Sequence, residues 1–274
     1  MRLVKASKID RRIVNNYFIL NDRFFNPEIE RTIEENRAMV LEENGVIKAF
    51  ICILGNKIEN GELLGKIMLN INCDISDEIM EQICQWIKYN RKHYDRFVIY
   101  KAPKDKVHIF KKEGFNIKED LIVYEKILEK ENFKVCNNLE KVSGADLKEI
   151  NSLDCRAFDK IWRENKNSLY RLLTNEDNNF RFIALKDEGK IVAFAFYRYR
   201  PHIGEGYLNR MAVDPAYQGK GIGKMLLEDA LNWFKKKGAE TVRLTTQCNN
   251  EKSVALYKNY GFKPVDKSIV ITYK

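Results

Sequence analysis

The chain has 274 residues, of which 45% are apolar and 11% aromatic; that is enough to bury cores for two domains and too apolar for intrinsic disorder. Its net charge of +9 comes from 48 Lys and Arg against 39 Asp and Glu, a mixed surface with a basic bias that decides nothing about nucleic acid. No apolar run reaches the roughly 20 residues of a membrane span, the first eight residues hold no apolar signal core, and six scattered cysteines form no C-x-x-C pair, so a cytoplasmic chain with no membrane contact, no disulfide framework and no metal is expected.

Read from the N-terminus, the first half gives a strand, a helical region, three strands, a helix, a strand, a helix and a strand. Arg37 to Phe50 is an apolar strand, a polar turn at Asn44-Gly45 and a second strand, the pattern of a hairpin. The polar stretch Glu129-Lys130-Glu131-Asn132 reads as a boundary.

The same order then repeats. Arg181 to Phe194 matches Arg37 to Phe50 at a separation of 144 residues, with Gly189 on Gly45 and Phe194 on Phe50. Further on, the separation becomes 147: Trp233 falls on Trp86, Arg243 on Arg96, Leu256-Tyr257-Lys258 on Ile109-Phe110-Lys111, and Gly261-Phe262 on Gly114-Phe115. An earlier pair, Lys5-Ala6-Ser7 with Lys141-Val142-Ser143, lies 136 apart. Two domains are therefore expected, at residues 1–130 and 138–274. In the second, strands are predicted near 181–186, 190–199 and 206–213, then a helix over 222–237, a strand at Val242–Thr246 and a helix from 251 to 260. The basic run Lys235-Lys236-Lys237 ends that long helix before Gly238, where cations complement the helix dipole. Strands and helices mixed in this way imply an α/β (α+β layered) fold.

The richest chemistry lies in Gln218-Gly219-Lys220-Gly221-Ile222-Gly223-Lys224, between a strand and a helix. Alternating glycines admit close backbone approach, and a helix start presents free N–H groups suited to phosphate. A dinucleotide fingerprint and a Walker loop both fail, because Lys224, Leu226, Gln218 and Met225 stand where those motifs need other residues.

This stretch resembles the cofactor signature Gln/Arg-x-x-Gly-x-Gly/Ala of the GNAT superfamily of acetyl-CoA-dependent N-acetyltransferases. Met211-Ala212-Val213-Asp214-Pro215 resembles the family's fourth strand, and Asn250 to Phe262 resembles its second motif, with Ser253 the one departure. The resemblance covers about residues 138–274, and the linked copies are similar to the tandem arrangement of mycothiol synthase and its relatives. It implies two tandem GNAT-like domains, each a mixed, mostly antiparallel sheet flanked by helices. It also implies acetyl-CoA as acyl donor and a primary amine of a small molecule or peptide as acceptor.

On the same ground, acetyl-CoA is expected at Met211, Val213, Gln218, Gly219, Lys220, Gly221, Ile222, Gly223, Lys224, Asn250 and Tyr257, with the strands near Val213 and Val242 splayed apart. Tyr257 matches the position of a general acid for the departing thiolate. Glu205 is the candidate base, since Glu205, Tyr207, Asn209, Met211 and Val213 share a face by the period of two; His202 is second choice. The competing classes are a non-catalytic acetyl-CoA-binding protein and a nucleic-acid module, the latter disfavoured because no recognition motif is present. Monomer and homodimer both fit.

The first copy is expected to be degenerate and to bind no cofactor. At a separation of 147, Gly219, Gly221 and Gly223 fall on Asn72, Asp74 and Ser76, Lys224 on Asp77, and Tyr257 on Phe110.

Overall fold

The repeated hairpins turn on matching dipeptides. Asn44 and Gly45 have φ of 52° and 79°, and Glu188 and Gly189 have 49° and 79°, the left-handed pair that lets a two-residue turn follow strand twist. The structure, a computed structural model, describes residues 1–20, 27–57, 61–129, 131–164, 166–173 and 178–274. Lys130 of the expected boundary lies outside the described residues.

The first repeat contains β1 (Arg2–Lys5), α1 (Arg11–Leu20), α2 (Pro27–Glu34), β2 (Ala38–Glu43), β3 (Val46–Lys57) and β4 (Leu63–Ile71). It continues with α3 (Asp77–Tyr89), β5 (Arg96–Ala102), α4 (Val107–Lys112) and β6 (Asn116–Ile127). The second contains β7 (Leu139–Lys141), α5 (Leu147–Ala157), α6 (Lys166–Leu173), β8 (Phe180–Asp187), β9 (Lys190–Arg200) and β10 (Glu205–Val213). There follow α7 (Ile222–Lys237), β11 (Thr241–Gln247), α8 (Glu251–Asn259) and β12 (Lys263–Tyr273). Every strand and helix expected in the second repeat is present.

The compact units cross the expected boundaries. One unit is Met1–Asp120 with Ser268–Lys274, and the other is Leu121–Lys267. In the first, strands run in the order β1-β2-β3-β4-β5-β12; in the second, β7-β8-β9-β10-β11-β6. The reason is an exchange of final strands. Leu121–Ile127 of β6 pairs antiparallel with β11, and Ile269–Tyr273 of β12 pairs antiparallel with β5. Among the described residues each unit has one parallel pair, β4–β5 or β10–β11, joined through α3 or α7 because a parallel connection needs a crossover.

Both faces of each sheet are covered. In the second unit α7 buries Leu226, Leu227, Ala230 and Phe234 on one face, while α5 brings Leu147, Ile150 and Leu153 against Phe182 and Phe194 on the other. Ile191 to Tyr197 of β9 is buried throughout, which is why it reads as a continuous apolar run. In the first unit α3 supplies Met80, Ile83 and Ile87 to one face; α1 and α2 supply Val14, Phe18, Ile29 and Ile33 to the other. No helix among the described residues is long and apolar enough to cross a membrane.

Strand register corrects part of the sequence pairing between repeats. Asn72 N–H donates to Lys48 O at 3.1 Å, and Asp214 N–H donates to Val192 O at 2.8 Å. Lys48 and Val192 are the equivalent hairpin positions, so Asn72 corresponds to Asp214 and not to Gly219. The connection from β4 to α3, residues 72–76, is three residues shorter than the one from β10 to α7, residues 214–221, and at the helix caps Ser76 stands where Gly221 does. The pairing of Phe110 with Tyr257 stands: each accepts at its carbonyl from the N–H of a phenylalanine, Phe115 at 2.9 Å and Phe262 at 3.1 Å.

Candidate active site

The site is built on the end of β10. Its pairing with β9 shifts register between Leu208 and Arg210, a bulge at Asn209 that bends the strand and leaves backbone groups unpaired. The parallel ladder to β11 runs only from Glu205–Thr241 to Leu208–Leu244. From Asn209 to Val213 the β11-facing edge therefore lies outside that ladder, which is the splay expected from the sequence.

The bulge also resets the side-chain alternation. Leu208 belongs to the cluster on the α7 face, and Met211 and Val213 pack against the same cluster. Glu205 and Tyr207 therefore do not share a face with Met211 and Val213, contrary to the period-of-two reading.

Beyond Val213 the loop is tied down at several points. Asp214 Oδ1 accepts from Ala216 N–H at 3.0 Å, and its other oxygen pairs with Arg156 of α5 at 2.6 Å. Gln218 donates from Nε2 to Val213 O at 3.4 Å and accepts from Lys252 Nζ at 3.0 Å, joining the strand end to the first turn of α8. Lys220 Nζ lies 4.4 Å from the centre of the Tyr217 ring.

Gly219 and Gly221 have φ of 81° and 80°, so side chains there would be strained although a Cβ would meet nothing within 4 Å. Gly223 differs from the expectation: it lies inside α7, and a Cβ would make an ordinary 3.7 Å contact with Leu256. Gly221 caps α7 without a side-chain acceptor, and the first turn holds no acidic residue. Its N–H groups and the positive end of its dipole are thus available to an anion. Ile222, the first residue of α7, is buried in the core, and Lys224 follows in the same turn.

α8 is capped by Asn250, whose side chain accepts from Ser253 N–H at 3.2 Å. Its amide oxygen is a helix cap. Tyr257, two turns on, is buried and packs 5.9 Å from Phe262 and 6.4 Å from Tyr124 of β6, between ring centres. Burial pushes its hydroxyl up to about 12, with Ser253 acting in the opposite sense.

The Acetyltransferase (GNAT) family profile matches residues 147–262. These residues form a GNAT acetyltransferase domain. The chain is 29% identical to the [ribosomal protein bS18]-alanine N-acetyltransferase of Escherichia coli K12 over 126 residues, 46% of this chain and 80% of that one. It is 28% identical to the mycothiol acetyltransferase of Saccharomonospora viridis over 144 residues, 47% of this chain and 46% of that one. A tandem GNAT protein from the clavulanic acid biosynthesis pathway shares the fold, with a TM-score of 0.65 at 12% identity over 99% of this chain and 98% of that one. The family match lies within the second repeat and covers less than half of the chain.

Within the GNAT domain, Glu205 does not fit the role of base. It is buried at the start of β10 and paired with Arg200 at 2.8 Å and Arg243 at 3.4 Å. At ~3.3 Å per residue it lies roughly 13 Å along the strand from the bulge at Asn209. Two guanidiniums make it a charge-pairing group. His202 sits in the Pro201–Ile203 turn ahead of the same strand, and Tyr207 is hydrogen-bonded to Thr245 Oγ1 at 2.8 Å.

A buried pair that the sequence reading missed lies on the other face. Arg210, the residue after the bulge, donates from Nε to Asp154 of α5 at 2.5 Å and from Nη2 to Trp162 O at 2.7 Å. Its guanidinium covers the Phe158 ring at 3.8 Å. Burial raises the Asp154 carboxyl above its ordinary range despite the opposing pull of Arg210. The available signal was an aspartate on the core-facing side of a helix whose other buried positions are Leu147, Ile150 and Leu153. Among the described residues, no three His, Cys, Asp or Glu side chains are grouped to hold a metal ion.

Proposed function

We propose that the chain transfers an acetyl group from acetyl-CoA to a primary amine of a small molecule or peptide. In this reading the GNAT domain performs the chemistry and the first repeat binds no cofactor. One observation carries it: the uncapped start of α7 opens beside the unladdered edge of β10, with Met211, Val213, Ile222 and Tyr257 around a single apolar cluster.

The donor set fits the group. A pyrophosphate needs N–H donors with no competing carboxylate, and the first turn of α7 with Gly219, Lys220, Gly221 and Lys224 supplies them. Backbone groups at Met211 and Val213, beyond the end of the β10–β11 ladder, would orient an extended pantetheine arm. Bound acetyl-CoA would supply an activated thioester carbonyl. The neutral amine nitrogen would form the new C–N bond as the C–S bond broke, Tyr257 would give its proton to the departing thiolate, and the amine's surplus proton, passed to solvent, would be matched by reprotonation of the Tyr257 phenolate from solvent. A phenol pushed up to about 12 keeps that proton throughout the neutral range.

Calorimetric titration tests this directly. One acetyl-CoA per chain is expected, and Gly221→Asp, which adds a strained side chain and a negative charge to the loop, should abolish binding. Unchanged affinity in that variant overturns the site, and a stoichiometry of two overturns the inactive first repeat. Release of CoA thiol with an alanine-initiated peptide, glucosamine or spermidine identifies the acceptor class.

A further inference from the structure

The Asp154–Arg210 pair has an internal control, because the first repeat fills the same two positions differently. Among the described side chains α1 buries Val14, Tyr17 and Phe18, and α5 buries Leu147, Ile150, Leu153 and Asp154. The spacing of 136 that joins Ser7 to Ser143 sets Phe18 on Asp154. In the strands, Met68 of β4 faces Cys52 of β3, and Arg210 of β10 faces Phe196 of β9. Cys52 and Phe196 hold the same hairpin register, opposite Ala38 and Phe182 respectively. The first repeat therefore places Phe18 and Met68, members of one apolar cluster, where the second places an ion pair.

The Asp154 side chain is 0% exposed and that of Arg210 11%. Taking two such charges out of water is costly, and well-packed apolar residues in their place are often neutral or stabilising. This fold has the apolar solution in its own first repeat. Stability alone does not account for the pair.

What it does instead is hold a segment. Asp154 Oδ2 accepts from Glu164 N–H at 2.9 Å, while Arg210 grips Trp162 O and the Phe158 ring. Residues 158–164 are thereby clamped to β10 at its bulge. Tyr257 and α7 lie on one face of the sheet and the clamp lies on the other. If acetyl-CoA occupies the α7 face, as proposed above, the amine reaches the thioester through the gap beyond Leu208–Leu244 from the clamped side. We infer that Arg210, held by Asp154, is a positioning residue that fixes residues 158–164 as the wall of the amine-acceptor site. This rests on the acetyltransferase reading.

The test uses two variants of the full chain and whichever of the alanine-initiated peptide, glucosamine or spermidine the wild type acetylates. Arg210→Lys keeps the charge beside Asp154 but loses the forked reach to Trp162 O. Asp154→Phe with Arg210→Met installs the residue types of the first repeat. In both, acetyl-CoA affinity should stay within about twofold of wild type, while the KM for the amine rises about tenfold to a hundredfold. The double variant should melt no lower than the wild type. Hydrogen exchange at residues 158–164 should accelerate in both, with α7 unchanged. An unchanged amine KM in a folded Arg210→Lys enzyme overturns the inference, and so does a parallel loss of acetyl-CoA affinity, which would mark the pair as general scaffolding. A wild type that neither binds acetyl-CoA nor acetylates any probe overturns the parent reading and this one with it.

Discussion

The helices α3 and α7 follow equivalent strands and cross over in the same way, yet their first turns are opposites. Ser76 caps α3, accepting from Ile79 N–H at 3.4 Å, and Asp77 and Glu78 occupy its first turn. Asp77 is paired with Lys106 at 2.9 Å and His108 at 3.1 Å, which together hold its carboxyl below the ordinary range. α7 has a glycine cap, no acid in its first turn and Lys224 as its third residue. The strand ends differ as well. The β4–β5 ladder also stops early, at Ile67–Ile99, and on the β3-facing side of the same strand Tyr17 donates its hydroxyl to Asn70 O at 2.8 Å and accepts from the Asn72 amide at 3.2 Å, a contact that the second repeat, with Leu153 in place of Tyr17, lacks. The start of α3 is satisfied by a side-chain cap, and the start of α7 is not. The sheet frame is common to both, so in the proposed reading the residues at the helix N-terminus would decide binding.

That contrast can be broken experimentally. The largest effect should come from Tyr257→Phe, which gives the second repeat the ring that the first carries at Phe110. Turnover should fall ~10²–10⁴-fold with little change in acetyl-CoA affinity. Steady-state kinetics showing wild-type turnover would make Tyr257 a packing residue like its counterpart.

Smaller effects should follow from the two side-chain caps. Ser76→Ala and Asn250→Ala each remove one acceptor from a helix start and should cost about 1 kcal/mol in denaturant unfolding. Asn250→Ala should also lower turnover modestly, because α8 carries Tyr257, whereas Ser76→Ala should leave turnover alone. Equal kinetic effects would erase the functional difference between the repeats.

The smallest expected effect is an absence in the pH profile. In the proposed reading Tyr257 would act while protonated, and its contribution would be lost only as pH rises through about 12. It should therefore add no alkaline limb to kcat between about pH 7 and 10. A limb in that window that disappears in Tyr257→Phe would show a more acidic phenol than burial allows.

Local signals were readable from the sequence, and long-range pairings were not. Gln218 to Gly223 and Asn250 to Phe262 announced themselves because turn glycines, a cap and helical spacing are short-range features. The hairpin at Gly189 was readable for the same reason. Glu205 misled because strand alternation assumes an unbroken ladder, and nothing in Glu205 to Val213 betrays the bulge at Asn209 or the arginines at 200 and 243. The Asp154–Arg210 clamp joins residues 56 positions apart, beyond any periodicity argument. The exchanged strands were hidden too: β6 and β12 each follow a Gly-Phe helix end, and local pattern does not say which sheet receives them.

The exchange has a consequence for synthesis on the ribosome. The unit formed by Leu121–Lys267 is contiguous, whereas the other needs Ser268–Lys274 to finish its sheet. The usual order, in which the N-terminal domain folds first as it emerges, is therefore inverted. Until Ile271 arrives to be buried beside Phe97 and Ile99, β5 is an open edge on a nascent chain, and such edges invite pairing with other chains. The half that binds no ligand in this reading is the one that must wait longest under protection.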